Sequence, residues 1–307
     1  MRLGLDVGGT KIHAVALDHR NNVIGEVRLP TGFGTDAVLA RITEAIARVS
    51  AEALPRTGVE SVGIGVPGIV DVSTGRVRHS VNLGIEDLEL AAAVGSATRL
   101  PVVVENDVNA ATLGAAHASG LHGVLGYLNV GTGLAAGIAV NGTLWRGAAG
   151  IVGEIGHLPF GSEGARCSCG QRGCLETTAS GSALARLWPY DGEHRGQALF
   201  SAADAGDVRA GSARDGLVTG IAAAVRVLTL TVGVEAVILG GGLTRIGRPL
   251  VDAVRSALRT WEAESAFLAT LHMSEHVSVL DAGTPVAAIG AALLAPPVGA
   301  GVPQVIA

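Results

Sequence analysis

Apolar and polar positions follow one plan at the start of the chain and repeat it in the middle. A strand pattern over Leu3–Val7 leads into the glycine-rich stretch Gly8–Lys11, and a second strand follows at once. Val124–Val130 leads into Gly131–Gly133 in the same way. Both patterns indicate β-hairpins. They argue against a P-loop or a dinucleotide-binding motif, because each of those needs a helix after the glycines.

The first hairpin carries groups suited to phosphate. Backbone N–H groups at Gly8, Gly9 and Thr10 are able to hold phosphate oxygens, and Asp6 just before them could face a hydrated Mg²⁺. An ordinary tight hairpin with a surface aspartate is the alternative. We interpret the two stretches as an internal duplication of a phosphate-holding hairpin.

An acidic stretch follows the apolar strand predicted over Pro101–Val104 and precedes a helix predicted over Val108–Ala118. Asp107, at the start of that helix, has two interpretations. As an N-cap it would stabilise the helix by about 1 kcal/mol; as a base it would project from the strand end. The local pattern favours the cap, and the neighbouring amide of Asn106 shifts the balance toward recognition of hydroxyl groups.

Three glycines, Gly240, Gly241 and Gly242, lie between a predicted strand, Val234–Leu239, and a predicted helix, Ile246–Leu258. Glycine at such a junction permits close approach of the backbone to a nucleotide base or ribose. A flexible loop explains the same residues equally well.

All three cysteines of the chain, Cys167, Cys169 and Cys174, fall within one short segment, and His157 lies just upstream. Three thiolates and one imidazole form a closed tetrahedral zinc set of the structural kind. Three free cysteines in a mobile loop are the alternative.

Two carboxylates, Glu154 and Glu176, flank this predicted zinc set. A metal that fixes the segment would also fix both carboxylates and the second ring nitrogen of His157. Polar groups held in place in this way suit a polyhydroxylated ligand.

Length and composition narrow the classes of protein. The 307 residues suffice for two domains, which we place at 1–119 and 120–307. A net charge of −5 gives no electrostatic case for nucleic acid. Arg226 and Glu235 interrupt the most apolar run, so we expect no membrane span. Clustered cysteines, and a strand that begins at Leu3, favour a cytoplasmic protein without a leader.

Together these motifs resemble the ROK family (repressors, open reading frames, kinases), sugar kinases of the actin–hexokinase superfamily. The resemblance extends over nearly the whole chain. The matching stretches are Asp6–Lys11, Gly63–Gly68, Glu105–Ala110, Gly131–Gly133, Glu154–His157, Cys167–Glu176 and Leu239–Gly242.

The resemblance implies an α/β fold of two ribonuclease-H-like lobes, with a hexose in a central cleft and the last helix, 285–295, packed on the N-terminal lobe. It implies phosphorylation of the sugar 6-hydroxyl with ATP and Mg²⁺, a structural Zn²⁺, and Asp107 as the catalytic base. The implied sugar-binding residues are Gly68, Asn82, Asn106, Asp107, Glu154, His157 and Glu176. The implied nucleotide-binding residues are Asp6, Gly8, Gly9, Thr10, Lys11, Gly131, Thr132, Gly133, Gly240, Gly241 and Gly242.

Two departures from the family pattern leave points open. Ala135 and Ala136 replace glycines that are common after the second phosphate loop, which bears on nucleotide affinity. Residues 85–87, after Asn82, lack the tryptophan of many glucose-using members, which bears on the sugar. Glucose is the leading substrate, with N-acetylglucosamine, N-acetylmannosamine, mannose and fructose as rivals, and polyphosphate is a possible donor in place of ATP.

Two other classes of protein fit the sequence less well. Regulators in the family carry an additional N-terminal DNA-binding domain, for which we see no room before Leu3. A sugar-binding protein without turnover is disfavoured by the retained Asp6, Asn106, Asp107 and Glu154. The resemblance also implies a homodimer or homotetramer.

Overall fold

The computed structural model describes residues 1–53, 58–148, 150–161, 164–281 and 283–296. They divide into two units. The first holds Met1–Leu121, the short segment Gly142–Leu144 and the described residues from Thr284 onward. The second holds His122–Asn141 and Trp145–Gly283.

Thirteen strands and nine α-helices lie in the described ranges. The strands are β1 (Arg2–Val7), β2 (Lys11–Leu17), β3 (Val23–Pro30), β4 (Ser61–Val66), β5 (Ile69–Asp71), β6 (Arg76–Ser80), β7 (Ile85–Leu88), β8 (Val102–Asn106), β9 (Val124–Val130), β10 (Leu134–Val140), β11 (Thr143–Leu144), β12 (Ala236–Gly240) and β13 (Val277–Val279). The helices are α1 (Thr35–Ala53), α2 (Leu90–Thr98), α3 (Asp107–Ser119), α4 (Gly181–Leu187), α5 (Arg195–Asp204), α6 (Val208–Val232), α7 (Arg248–Glu264), α8 (Ala266–Ala269) and α9 (Val286–Leu294).

Two five-stranded mixed sheets repeat one topology. Their orders are β3-β2-β1-β4-β8 and β11-β10-β9-β12-β13. In the first sheet β1 is antiparallel to β2, whereas β1, β4 and β8 run parallel. In the second, β9 is antiparallel to β10 and parallel to β12, which is parallel to β13. The two predicted hairpins are therefore confirmed as the β1–β2 and β9–β10 pairs.

Helices cover both faces of the first sheet. α1 places Val38, Ile42 and Val49 in the core that contains the inward side chains of β1 and β2. α9 packs on the opposite face, where Ala288 and Ala292 join a small apolar cluster with residues of β2. The last described helix therefore belongs to the first unit, and the chain leaves that unit and returns to it.

The second unit is organised around α6. Its side chains Leu217, Ile221 and Leu228 lie in one core with Leu128 and Val130 of β9. Within the described ranges, α6 alone is long and apolar enough to cross a membrane by length and composition. Packing in this core gives a structural reason for its apolar side chains.

A three-stranded antiparallel sheet, β5-β6-β7, was not predicted from the sequence. Its strands have three to five residues each, too short for a clear periodicity. The 3₁₀ turn Val81–Leu83 connects β6 to β7 and carries Asn82. This small sheet therefore positions one of the predicted sugar-binding residues.

Candidate functional site

The carboxyl ends of β1, β4 and β8 meet at one edge of the first sheet because the three strands are parallel. Asp6 of β1 pairs with Gly65 of β4, and Gly65 pairs with Glu105 of β8. Asn106 and Asp107 follow directly. The strand register therefore gathers residues that lie up to about a hundred positions apart in the sequence.

Burial and a like charge act together on Asp6. Burial and, to a smaller extent, the negative charge of Asp107 raise the pKa of Asp6 to about 7, against the opposing positive charge of Lys11. The two predicted acids therefore lie close enough to interact. A carboxyl group that resists ionisation beside a second carboxyl indicates a place where a cation would be stabilised.

The start of α3 corrects one sequence-based interpretation. The N-cap is Asn106, whose Oδ1 accepts from the backbone N–H groups of Val108 (2.9 Å) and Asn109 (3.3 Å). Asp107 is the first helical residue, and its Oδ1 accepts from Val108 at 3.0 Å. The cap predicted at Asp107 is wrong by one position, because the extended backbone that a cap needs falls on Asn106.

Glu105 is a buried acid that the sequence analysis did not single out. Its side-chain Oε1 accepts from the backbone N–H of Asn106 and from Asn109 Nδ2, each at 3.0 Å. Only 2% of the residue is exposed. Glu105 therefore holds the strand-to-helix turn from which Asn106 and Asp107 project.

Gly68 and Asn82 lie next to the same turn and hairpin. The Gly68 carbonyl is 3.5 Å from Asn106 Nδ2. The backbone oxygen and Cβ of Asn82 each lie 3.2 Å from the position that a Cβ would take on Gly9. In the first unit, the predicted sugar residues and the predicted phosphate hairpin are thus neighbours.

The first hairpin is closed and braced. Gly8 N–H donates to the Lys11 carbonyl at 3.0 Å, which closes the turn. Thr31, fully buried, donates its hydroxyl to the Gly8 carbonyl at 2.6 Å, and its N–H donates to the Thr10 carbonyl at 3.2 Å. Thr31 is a supporting residue that no sequence signal identified.

The second hairpin has a loop that is one residue shorter and a different brace. Gly131 N–H donates to the Gly133 carbonyl at 3.0 Å. At the start of α4, the N–H groups of Gly181 and Ser182 donate to the carbonyls of Gly131 (2.8 Å) and Thr132 (3.1 Å). These bonds use hairpin carbonyls as acceptors, so the N–H groups of Thr132 and Gly133 take no part in them.

The predicted zinc ligands come together. One ligand atom from each of His157, Cys167, Cys169 and Cys174 lies within 4.8 Å of the others. Cys169 Sγ is 3.6 Å from Cys174 Sγ, and Cys167 Sγ is 3.6 Å from His157 Nδ1. Tetrahedral zinc with ligands at about 2.3 Å separates its donors by about 3.8 Å, so these residues fit that ion.

Both flanking carboxylates lie near this cluster. Glu154 Oε2 is 3.8 Å from His157 Nε2, the ring nitrogen that faces away from Cys167. Glu176 Oε1 accepts from Cys167 Sγ at 3.2 Å, and its Oε2 accepts from the N–H of Leu134 at 3.4 Å. Glu176 therefore links the cysteine segment to the second hairpin.

The three consecutive glycines are not equivalent. A Cβ on Gly240 would lie 1.9 Å from the Tyr127 hydroxyl oxygen, and one on Gly241 would lie 2.6 Å from the Val130 carbonyl. Both positions therefore require glycine for packing against β9. Gly242 is exposed, and nothing described lies within 4 Å of its Cβ position. Of the three glycines, Gly242 is the one open to a ligand.

Residues 2–297 match the sequence profile of the ROK family. The chain belongs to the ROK family. The glucokinase of Halalkalibacterium halodurans is 33% identical over 275 residues, which cover 82% of this chain and 83% of that protein. The N-acetylmannosamine kinase of Yersinia pseudotuberculosis is 31% identical over 244 residues, which cover 78% of this chain and 82% of that protein.

Solved structures of ROK proteins resemble the whole fold. A ROK hexokinase from Thermus thermophilus matches with a TM-score of 0.80 and 31% identity, covering 95% of this chain and 96% of that one. A ROK glucokinase from Streptomyces griseus, solved with glucose and AMPPNP, matches at 0.77 and 30%, covering 96% and 98%. The predicted fold class, α/β with ribonuclease-H-like sheets of the actin–hexokinase type, is confirmed for this ROK chain.

Proposed function

We propose that this ROK protein transfers the γ-phosphoryl group of ATP to the 6-hydroxyl of a hexose, with glucose as the preferred acceptor. The observation that carries the proposal is the proximity of Asp6 and Asp107 at one sheet edge, beside the Gly8–Lys11 hairpin. The similarity to the Streptomyces griseus ROK glucokinase, solved with glucose and AMPPNP, supports it.

Asp107 is the base in this mechanism. Its carboxylate accepts the proton of the 6-hydroxyl while that oxygen attacks the γ-phosphorus and the bond to the β-phosphate oxygen breaks. Phosphoryl transfer has a loose transition state, so alignment and charge neutralisation supply most of the rate. A general base typically adds about 10²–10⁴-fold. The location of Asp107 at a helix start, on a turn held by Glu105, fixes its direction.

The phosphates would be held by the two hairpins. Backbone N–H groups of Gly9 and Thr10, with the ammonium of Lys11, serve the first, and those of Thr132 and Gly133 serve the second. Bound Mg²⁺ would neutralise charge on the β- and γ-phosphate oxygens, and Asp6 would face its hydration shell. The raised pKa of Asp6 fits this role, because a nearby cation would favour the ionised carboxylate.

The proposed sugar-binding groups are those predicted from the sequence. Asn82, Asn106 and the Gly68 backbone serve from the first unit. Glu154, His157 and Glu176 serve from the second, where His157, Cys167, Cys169 and Cys174 would hold a structural Zn²⁺. In this arrangement His157 would give Nδ1 to the metal and would keep Nε2 for a sugar hydroxyl.

A coupled ADP-release assay tests the proposal. The panel contains glucose, mannose, fructose, N-acetylglucosamine and N-acetylmannosamine, each with MgATP. Polyphosphate in place of ATP is tested by the formation of hexose phosphate, because that donor releases no ADP. We expect the largest kcat/KM with glucose and ATP, and a product phosphorylated at the 6-position by ³¹P NMR. ADP release that does not depend on any hexose would overturn the proposal.

N-acetylmannosamine is the second candidate acceptor, because a relative with that activity is 31% identical to this chain. A kcat/KM for N-acetylmannosamine above that for glucose would select it. We also propose a cytoplasmic location and a dimer or tetramer that acts on hexose and ATP and not on nucleic acid. Light scattering of the purified protein tests the oligomeric state.

A further inference from the structure

Aromatic residues are distributed unevenly between the two units. The chain has nine of them, and eight belong to the second unit. The exception is Phe33, in the loop between β3 and α1, and 74% of this residue is exposed. The first unit thus builds its core without aromatic rings and places its single ring on the surface. An exposed phenylalanine forgoes roughly 1.5–3 kcal/mol of burial, so its position calls for a reason.

The ring of Phe33 is held against the turn that carries Asn82. Gly34 N–H donates to the Leu83 carbonyl at 2.8 Å, which ties the two segments together. Ring atoms Cε1 and Cζ lie 2.7 Å from the position that a Cβ would take on Gly84. Gly84 also has a φ of 67°, so glycine satisfies both the backbone and the ring that covers it.

The same loop also reaches the phosphate hairpin. Thr31, two residues before Phe33, donates to the Gly8 carbonyl, and Asn82 lies against Gly9. The ring therefore lies against the turn that carries Asn82, a predicted sugar-binding residue, on a segment fixed at both ends by hydrogen bonds. The adjoining Val81 is 81% exposed, which extends the apolar surface beside Asn82.

We propose that Phe33 is a specificity-determining residue that contacts the acceptor hexose. Pyranose rings combine hydroxyl groups with apolar C–H faces, and an aromatic face, which carries negative charge density, suits those C–H groups. Asn82 would bind hydroxyls while Phe33 packs on the adjoining C–H face. The residues after Gly84 supply no aromatic ring: they are Ile85, which is buried, and Glu86 and Asp87, which are exposed. This inference rests on the proposed hexokinase function.

The experiment compares Phe33→Ala with Phe33→Tyr and with the matched control Phe267→Ala. Phe267 is also an exposed phenylalanine, at 63%, but lies on α8 in the second unit. We expect Phe33→Ala to raise the KM for the hexose about five- to twenty-fold with kcat within about two-fold. Phe33→Tyr keeps the aromatic face and should stay within about two-fold of wild type, as should Phe267→Ala.

The KM for MgATP distinguishes direct contact of Phe33 with the hexose from mere support of the loop by Phe33. A ring that merely supports the loop would act on the hairpin through Thr31, so Phe33→Ala would then raise the KM for MgATP as well. An unchanged hexose KM in Phe33→Ala, or a parallel rise in both KM values, overturns the inference while wild-type turnover preserves the proposed function. Absence of hexose turnover by wild type would overturn both.

Discussion

The two hairpins of this protein share a topology and differ in charge. Asp6 and Asn129 occupy the same place, one residue before the end of the first strand of each pair. Each hairpin is closed by an N–H of its first glycine, Gly8 or Gly131. The first hairpin adds a half-buried acid and a lysine, whereas the second carries an amide and no charge before Leu134. The repeated topology thus preserved the backbone cradle and let the chemistry diverge.

The braces differ in kind as well. The first hairpin is supported by a side-chain hydroxyl, that of Thr31, whereas the second is supported by backbone N–H groups at the start of α4. A side-chain brace can be removed by a substitution that keeps the side-chain volume, whereas a backbone N–H is lost only on substitution by proline. The first hairpin should therefore be the more sensitive to mutation in both catalysis and stability.

The largest effect is expected from Asp107→Asn, which keeps the shape and removes the base. We expect kcat to fall by about 10²–10⁴-fold with little change in the KM for the hexose. Asp252→Asn, at an exposed aspartate of α7, is the control and should have wild-type kinetics. A near-normal kcat in Asp107→Asn would mean that Asp107 is not the base.

The next effect concerns the cysteine cluster of the second unit. Cys174→Ser, or a strong chelator, should lower the free energy of unfolding by at least about 2 kcal/mol and raise the hexose KM. Ser168→Ala, between two predicted ligands, is the control. One zinc per chain by elemental analysis is the expected stoichiometry. Unchanged denaturant midpoints after metal removal would contradict a structural ion.

A smaller effect distinguishes Asp6 from Asn129. Because burial raises the pKa of Asp6 from 3.8 to about 7, the folded chain retains a proton that the unfolded chain has lost. The ionisation of Asp6 therefore lowers the free energy of unfolding as pH rises from about 4 to about 7, and lowers it no further above that range. Without Mg²⁺, Asp6→Asn should remove this contribution and add on the order of 1–3 kcal/mol at pH 8.

Urea midpoints at pH 5 and pH 8 measure this difference. Wild type should lose more stability than Asp6→Asn between the two values, and the variant should also bind MgATP more weakly. Asn129→Asp is the reciprocal change, which introduces a carboxylate into the neutral hairpin. Parallel pH profiles for wild type and Asp6→Asn would show that the first hairpin stores no electrostatic strain.

The smallest effect tests the braces. Thr31→Val keeps the side-chain volume and removes the hydroxyl that donates to Gly8, so we expect a loss of about 1 kcal/mol in stability. The KM for MgATP should rise by a few fold. Ser182→Ala retains the backbone donor to Thr132 and is the matched control. Equal effects of the two substitutions would remove the contrast between the braces.

Local sequence patterns determined much of this protein. Alternation around glycines predicted both hairpins, and the spacing of three cysteines after a histidine predicted four donors that do converge. Such features depend on neighbours within about twenty residues, where turn chemistry and side-chain period are decisive. The order of the motifs was enough to indicate the family.

Other features were decided by tertiary structure. Strand register brought Asp6 to Asp107, packing of Tyr127 and Val130 dictated Gly240 and Gly241, and backbone conformation moved the helix cap to Asn106. These outcomes depend on contacts between segments that are distant in the sequence, and the local spacing of apolar residues does not predict such contacts. A carboxylate acquires its pKa, and a glycine its necessity, from neighbours that only the folded chain supplies.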